Sequence, residues 1–151
     1  MTYHISSSNI KQYFLNLLSK KDYSVAQLIS KAQLKGVSGS KVKEVIAWLE
    51  EHGYVDDRRF AHQMADFYKP TKGSRWIQMK LKQKMIPDHI IDEVINTVDD
   101  TASDQIKKKV EDKYNVKDWN SLDLKVLNKI LNYLARQGYT KPYDMITEWK
   151  N

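Results

Sequence analysis

Apolar residues recur along this chain at intervals of three and four, in runs separated by serine, aspartate, glycine or proline, a spacing that predicts short amphipathic helices. Ile10, Tyr13, Phe14, Leu17 and Leu18 share one face of a helix over 9–20, with Ser8 or Asn9 placed to cap it. Residues 1–8 show no such pattern and read as a flexible N-terminus. Ser24-Val25-Ala26-Gln27 reads as a capping box that opens a helix over 25–35; its face Leu28, Ile29 and Ala32 is closed by Gly36. A serine cap at Ser38 or Ser40 starts Val42, Val45, Ile46 and Leu49 over 40–52, ended by His52-Gly53. Asp56 or Asp57 can cap the next helix, which carries Phe60, Ala61, Met64 and Phe67 before Pro70 stops it. Ser74 to Lys84 turns Ile77 and Leu81 inward, and a start at Pro87 leads into Ile90, Ile91, Val94, Ile95 and Val98. Thr101-Ala102-Ser103-Asp104 has the form of a capping box before Ile106 and Val110. Ser121 can cap a helix with Leu124, Leu127, Ile130, Leu131 and Leu134, ending at Gly138, and a last helix over 142–150 adds Ile146 and Trp149. The least structured connection is 115–121.

These nine helices contain a repeat. Aligning Gly36, Met85 and Gly138 brings Leu28, Ile77 and Ile130 together eight positions earlier, and Ala32, Leu81 and Leu134 four positions earlier. The two offsets, 49 and 53 residues, lie in the range of helical repeat arrays. The expected fold is therefore all-α: three tandem three-helix, helix-turn-helix-like repeats over 9–52, 57–98 and 101–150. A unit of this size buries too little surface to be comfortable alone. Neighbours are expected to share apolar surface in an elongated, curved array.

Composition narrows the function. With 41% hydrophobic and 29% charged residues but only 5 Gly and 3 Pro, the 151-residue chain is too apolar for disorder and too poor in turn formers for an all-β fold. Its longest apolar stretch, Val45-Ile46-Ala47-Trp48-Leu49, is far short of the roughly 20 residues that cross a bilayer. No leader or lipidation pattern stands at either end, so a cytoplasmic protein, without membrane contact, is expected. The absence of cysteine excludes disulfides, thiolate nucleophiles and cysteine-ligated metals. A net charge of +6 favours polyanions or acidic protein surfaces as partners.

Candidate chemistry is sparse. His4, His52, His62 and His89 are scattered, with no metal-binding spacing, and the five glycines form no phosphate-cradling loop. No metal, no cofactor and no catalytic constellation is expected. The acid pairs Asp56-Asp57 and Asp99-Asp100 each precede a helix, where capping explains them better than acid–base catalysis does. The strongest feature is the stretch 69–84, in which Lys69, Lys72, Arg75, Lys80, Lys82 and Lys84 stand without an acidic residue. Helical spacing puts 75 and 82, and 80 and 84, in neighbouring polar rows beside the inward positions 77 and 81. The run Lys107-Lys108-Lys109 is weaker evidence, because Glu111 and Asp112 follow at once. Sequence-specific reading of DNA is disfavoured: two of the three helices placed to enter a groove begin with carboxylates, and the positive charge lies on the helix before.

Three blocks carry a family resemblance: Leu17-Leu18-Ser19-Lys20-Lys21-Asp22-Tyr23-Ser24; Glu51-His52-Gly53-Tyr54-Val55-Asp56-Asp57-Arg58-Arg59-Phe60-Ala61; and Lys72-Gly73-x-Arg75-x-Ile77 leading to Leu81 and Ile86-Pro87. Over about 10–150 the chain resembles the RecX family of recombinase regulators. Met85 departs from the family, which usually has glycine there, and a differently closed helix is expected. The resemblance implies a non-enzymatic regulator, a monomer, that binds RecA protein and the RecA–DNA filament. It implies inhibition of filament extension, ATP hydrolysis, strand exchange and co-protease activity. Tyr54, Asp56 and Phe60 are then architectural, serving cap, turn and inter-unit packing, while Arg58, Arg59, Lys69, Lys72, Arg75, Lys80, Lys82 and Lys84 are the candidate contacts to filament or DNA. The alternative is an autonomous helical module that binds single- or double-stranded DNA through phosphates without sequence preference.

Overall fold

The computed structural model describes residues 7–37, 39–98, 100 and 103–151, and is helical without a strand among them. The order is α1 Ser7–Leu18, α2 Val25–Leu34, α3 Gly39–Glu51, α4 Asp57–Tyr68, α5 Ser74–Gln83, α6 Asp88–Ile95, α7 Asp104–Tyr114, α8 Leu124–Arg136 and α9 Pro142–Trp149. Helix α1 begins at Ser7, earlier than the serine or asparagine cap expected from the sequence. Residues 1–6 of the expected flexible terminus, the candidate cap Ser38, Asp99, and Thr101-Ala102 of the third capping box lie outside the described residues.

Caps set most boundaries. Ser24 Oγ accepts from the Gln27 N–H while the Gln27 side chain accepts from the Ser24 N–H, so the capping box at α2 is complete. Asp56 Oδ1 accepts from the Arg59 N–H at 3.1 Å, and Ser103 Oγ from the Ile106 N–H at 3.3 Å. Ser121 does not cap α8. Asp123 does, accepting from the Lys125 N–H, and Ser121 closes a single 3₁₀ turn, Trp119–Ser121, by donating to Asp118. That turn orders the connection read as least structured, because Trp119 is buried and packs 4.8 Å from Trp149.

The repeat shows in the backbone. Gly36, Met85 and Gly138 have φ of 74°, 62° and 93°, and the next residue's N–H returns to the carbonyl of Ala32, Leu81 and Leu134 in turn. Met85 thus closes α5 as glycine closes α2 and α8, contrary to the different closure its side chain suggested. Packing in the turn imposes the left-handed backbone, and the side chain projects outward, half exposed.

Buried apolar side chains gather in three separate clusters. Ile10, Phe14, Leu28 and Leu49 lie in the first, Ile77, Leu81, Ile91 and Val94 in the second, and Ile106, Val110, Ile130, Leu134 and Ile146 in the third. Close helix packing is chiefly within α1–α3, α4–α6 and α7–α9. Between units, polar and main-chain hydrogen bonds make the joints where shared apolar surface was expected. Ser24 Oγ donates to the Lys84 carbonyl at 2.6 Å, and the Val25 N–H to Asp57 Oδ1 at 2.9 Å. The next joint repeats the scheme: the Gly73 N–H donates to the Gln137 carbonyl, the Arg75 N–H to the Gly138 carbonyl, and the Ser74 N–H to Asp100 Oδ1 at 2.7 Å. The start of α2 therefore abuts the end of α5, and the start of α5 the end of α8, through a hydroxyl on a carbonyl in the first joint and amides on carbonyls in the second, which aligns the helix dipoles head to tail.

Candidate partner-binding surface

Helix α5 is fixed at both ends by these joints and on its inner face by Ile77 and Leu81, both fully buried. Its outer face is therefore a rigid platform whose charges are placed by the fold. The eight cations singled out from sequence do not share one fate there.

Three are engaged locally. The Arg58 guanidinium donates to both carboxylate oxygens of Glu93, at 2.9 and 3.1 Å, and holds that carboxyl below its usual range. Arg59 donates to the Gly53 carbonyl at 3.1 Å, bracing the turn ahead of α4. Lys69 pairs with Asp66 one turn back, also at 3.1 Å. A fourth, Lys72, reaches across to the Gln137 side chain. Burial, and secondarily the charge of Lys109, lowers its pKa. The side chains of Arg75, Lys80, Lys82 and Lys84 make no hydrogen bond or ion pair among the described residues, and these four cations remain available on α5 and its C-cap.

Aromatic rings run beside them. The Lys72 and Lys80 ammonium groups lie 5.0 and 5.9 Å from the centre of the Trp76 ring. Tyr68 packs against Trp76 at 4.6 Å, and Phe67 meets Tyr68 edge-on at 4.9 Å while itself 75% exposed. Trp76 and Tyr68 were not singled out from the sequence, and Lys109 belongs to the run read there as weaker evidence. Trp76 and Tyr68 sit next to marked residues, and their spacing alone did not distinguish them from core. Lys109 is brought towards Lys72 only by the joint between the second and third units.

The three motif residues are also separated. Phe60 is buried in the second core, and Asp56 caps α4. Tyr54 is half exposed and stacks on Trp48 of the first unit, at 5.6 Å and 15°. The two further aspartates read as caps serve the joints: Asp57 takes the Val25 N–H, and Asp100 binds both Ser74 and Thr140. Among the described residues no group of three or more metal-ligating side chains comes together, and no helix is long and apolar enough to cross a membrane.

A family model for RecX, second three-helix domain, matches residues 56–95, the span of α4 to α6 with its capping aspartate. A regulatory protein RecX of Vibrio campbellii is 28% identical over 91% of this chain and 86% of its own length; that of Trichlorobacter lovleyi is 27% identical over 83% and 84%. In fold, the crystal structure of RecX from Lactobacillus salivarius is similar at a TM-score of 0.78, with 20% identity over 95% of this chain and 96% of that one. The matched second domain and the length of the similarity to curated regulators support a RecX family protein, and the solved structure shares its all-helical fold.

Proposed function

We propose that this chain is a non-enzymatic regulator that binds RecA and the RecA–DNA filament in the cytoplasm and, as a monomer, inhibits filament extension. ATP hydrolysis, strand exchange and co-protease activity fall as a consequence. Membership of the RecX family supports the reading, and the observation that carries it to particular residues is the α5 face, where the side chains of Arg75, Lys80, Lys82 and the C-cap Lys84 have no hydrogen bond or ion pair among the described residues. Arg58 and Lys69 are largely spent on Glu93 and Asp66, so their share of the contact is smaller. The working units are read as 9–52, 57–98 and 101–150, with the middle one presenting the contact face.

The test is RecA ATPase activity on single-stranded DNA with this protein titrated in. A protein that stops growth at filament ends, or holds a groove at intervals, acts well below one molecule per RecA protomer. Inhibition only at stoichiometric excess, abolished by added DNA, would instead identify an autonomous phosphate-binding module competing for the strand.

A further inference from the structure

We propose that the groove between the first and second units is a socket for a protein partner, taking an apolar side chain that is flanked by a carboxylate on one side and a cation on the other. The proposal rests on the function stated above, with the partner's segment belonging to RecA, and extends the α5 face, through Lys84, by a contact of different chemistry.

The groove holds about 270 Å³. Phe60, Met64, Phe67 and Tyr68 line it, Phe60 buried, Met64 and Tyr68 partly buried and Phe67 exposed. Phe67 is the most exposed aromatic of α4, with three quarters of its surface in water, and its edge-on contact with Tyr68 holds the ring at the rim. Exposed aromatic surface beside a concavity is the usual form of an interface anchor.

Charge decides the occupant. Asp22 and Lys84 both line the groove, brought together because the Ser24 hydroxyl binds the Lys84 carbonyl. Among the described residues neither side chain has a hydrogen bond or an ion pair. A nucleic acid offers only anionic charge: its phosphates would be drawn to Lys84 and repelled by Asp22. A protein segment with an apolar residue between opposite charges satisfies both, and complementary charges at the rim fix its direction in the groove.

The experiment measures binding of the full chain to RecA assembled on single-stranded DNA with a non-hydrolysable ATP analogue, and separately to the bare DNA. The variants are Phe67→Ala and Asp22→Lys. Both residues are exposed, and an unchanged melting temperature for each verifies that the fold is intact. Each variant is expected to weaken filament binding by roughly tenfold or more, with bare DNA affinity held by Phe67→Ala and held or tightened by Asp22→Lys. Filament binding within about twofold of wild type in both variants overturns the socket. So does Asp22→Lys tightening filament and bare DNA alike, which would make the groove a phosphate site. A wild-type chain with no preference for the filament over bare DNA fails earlier and differently: it overturns the regulatory reading, and the socket with it.

Discussion

Met85 holds a left-handed backbone, φ 62°, where the two equivalent positions have glycine. That conformation costs a side-chain-bearing residue roughly 1–2 kcal/mol, offset in glycine by a more flexible unfolded chain. Its side chain returns little, since it is half exposed and its polar contact is a 4.0 Å approach of Ser30 Oγ to the sulfur. Met85→Gly is expected to stabilise by about 0.5–1 kcal/mol in urea unfolding; a loss would show that contacts across the first joint outweigh the strain. Asp57 poses a related question of cost. Its carboxyl is pushed above the usual aspartate value, first by burial and further by the neighbouring Asp56, with the Val25 N–H opposing. A raised acid value means that the folded state holds the proton more tightly, so this group's contribution to stability falls as pH rises from the unfolded aspartate value through the raised one. An asparagine side chain in its place would keep an acceptor for Val25 without the buried charge. Asp57→Asn should therefore match or exceed wild type in melting temperature at pH 7 and lose that relative advantage below about pH 4, whereas Asp57→Ala, which removes the acceptor, should melt lower at both.

At the level of helices, much was legible because caps are local chemistry. Ser24, Asp56, Ser103 and Gly138 mark their boundaries through bonds to residues within a few positions. What was not legible depends on residues far apart in sequence. Nothing in the sequence around Asp57 or Asp100 says that one takes an amide 32 residues earlier and the other joins Ser74 to Thr140. The same holds for the candidate surface: the cationic stretch announces itself, but that Glu93 neutralises Arg58 while Arg75 and Lys82 stay unpaired is decided by helix packing. With four free cations on α5, binding to phosphates would give a slope of log affinity against log salt of about −3 to −4, so a fourfold rise in salt would weaken binding about 10²-fold. A carboxylate surface on RecA would give a shallower dependence, felt mainly in association rate. Arg75→Glu with Lys82→Glu, in a folded double variant, is expected to abolish inhibition of RecA ATPase; retained inhibition would return α5 to ordinary surface charge.

Across the whole molecule, the joints carry more weight than their size suggests, because the three cores do not merge. The second joint is the tighter. A Cβ on Gly138 would collide with the Trp76 amide nitrogen, and one on Gly73 with the Gly138 carbonyl, main chain that cannot swing aside. Gly138→Ala, strained also by its φ of 93°, should cost on the order of 2–5 kcal/mol, seen as earlier unfolding of the last unit while the first melts as before. Among the described residues the first joint shows no such interlock: besides the Ser30–Met85 approach it carries two hydrogen bonds, one of them to Asp57. The second joint is therefore expected to resist bending more than the first. Load applied along the chain would bend it at Ser24-Val25 before it disturbed α5, leaving the cationic face in register while the first unit swings to follow its support.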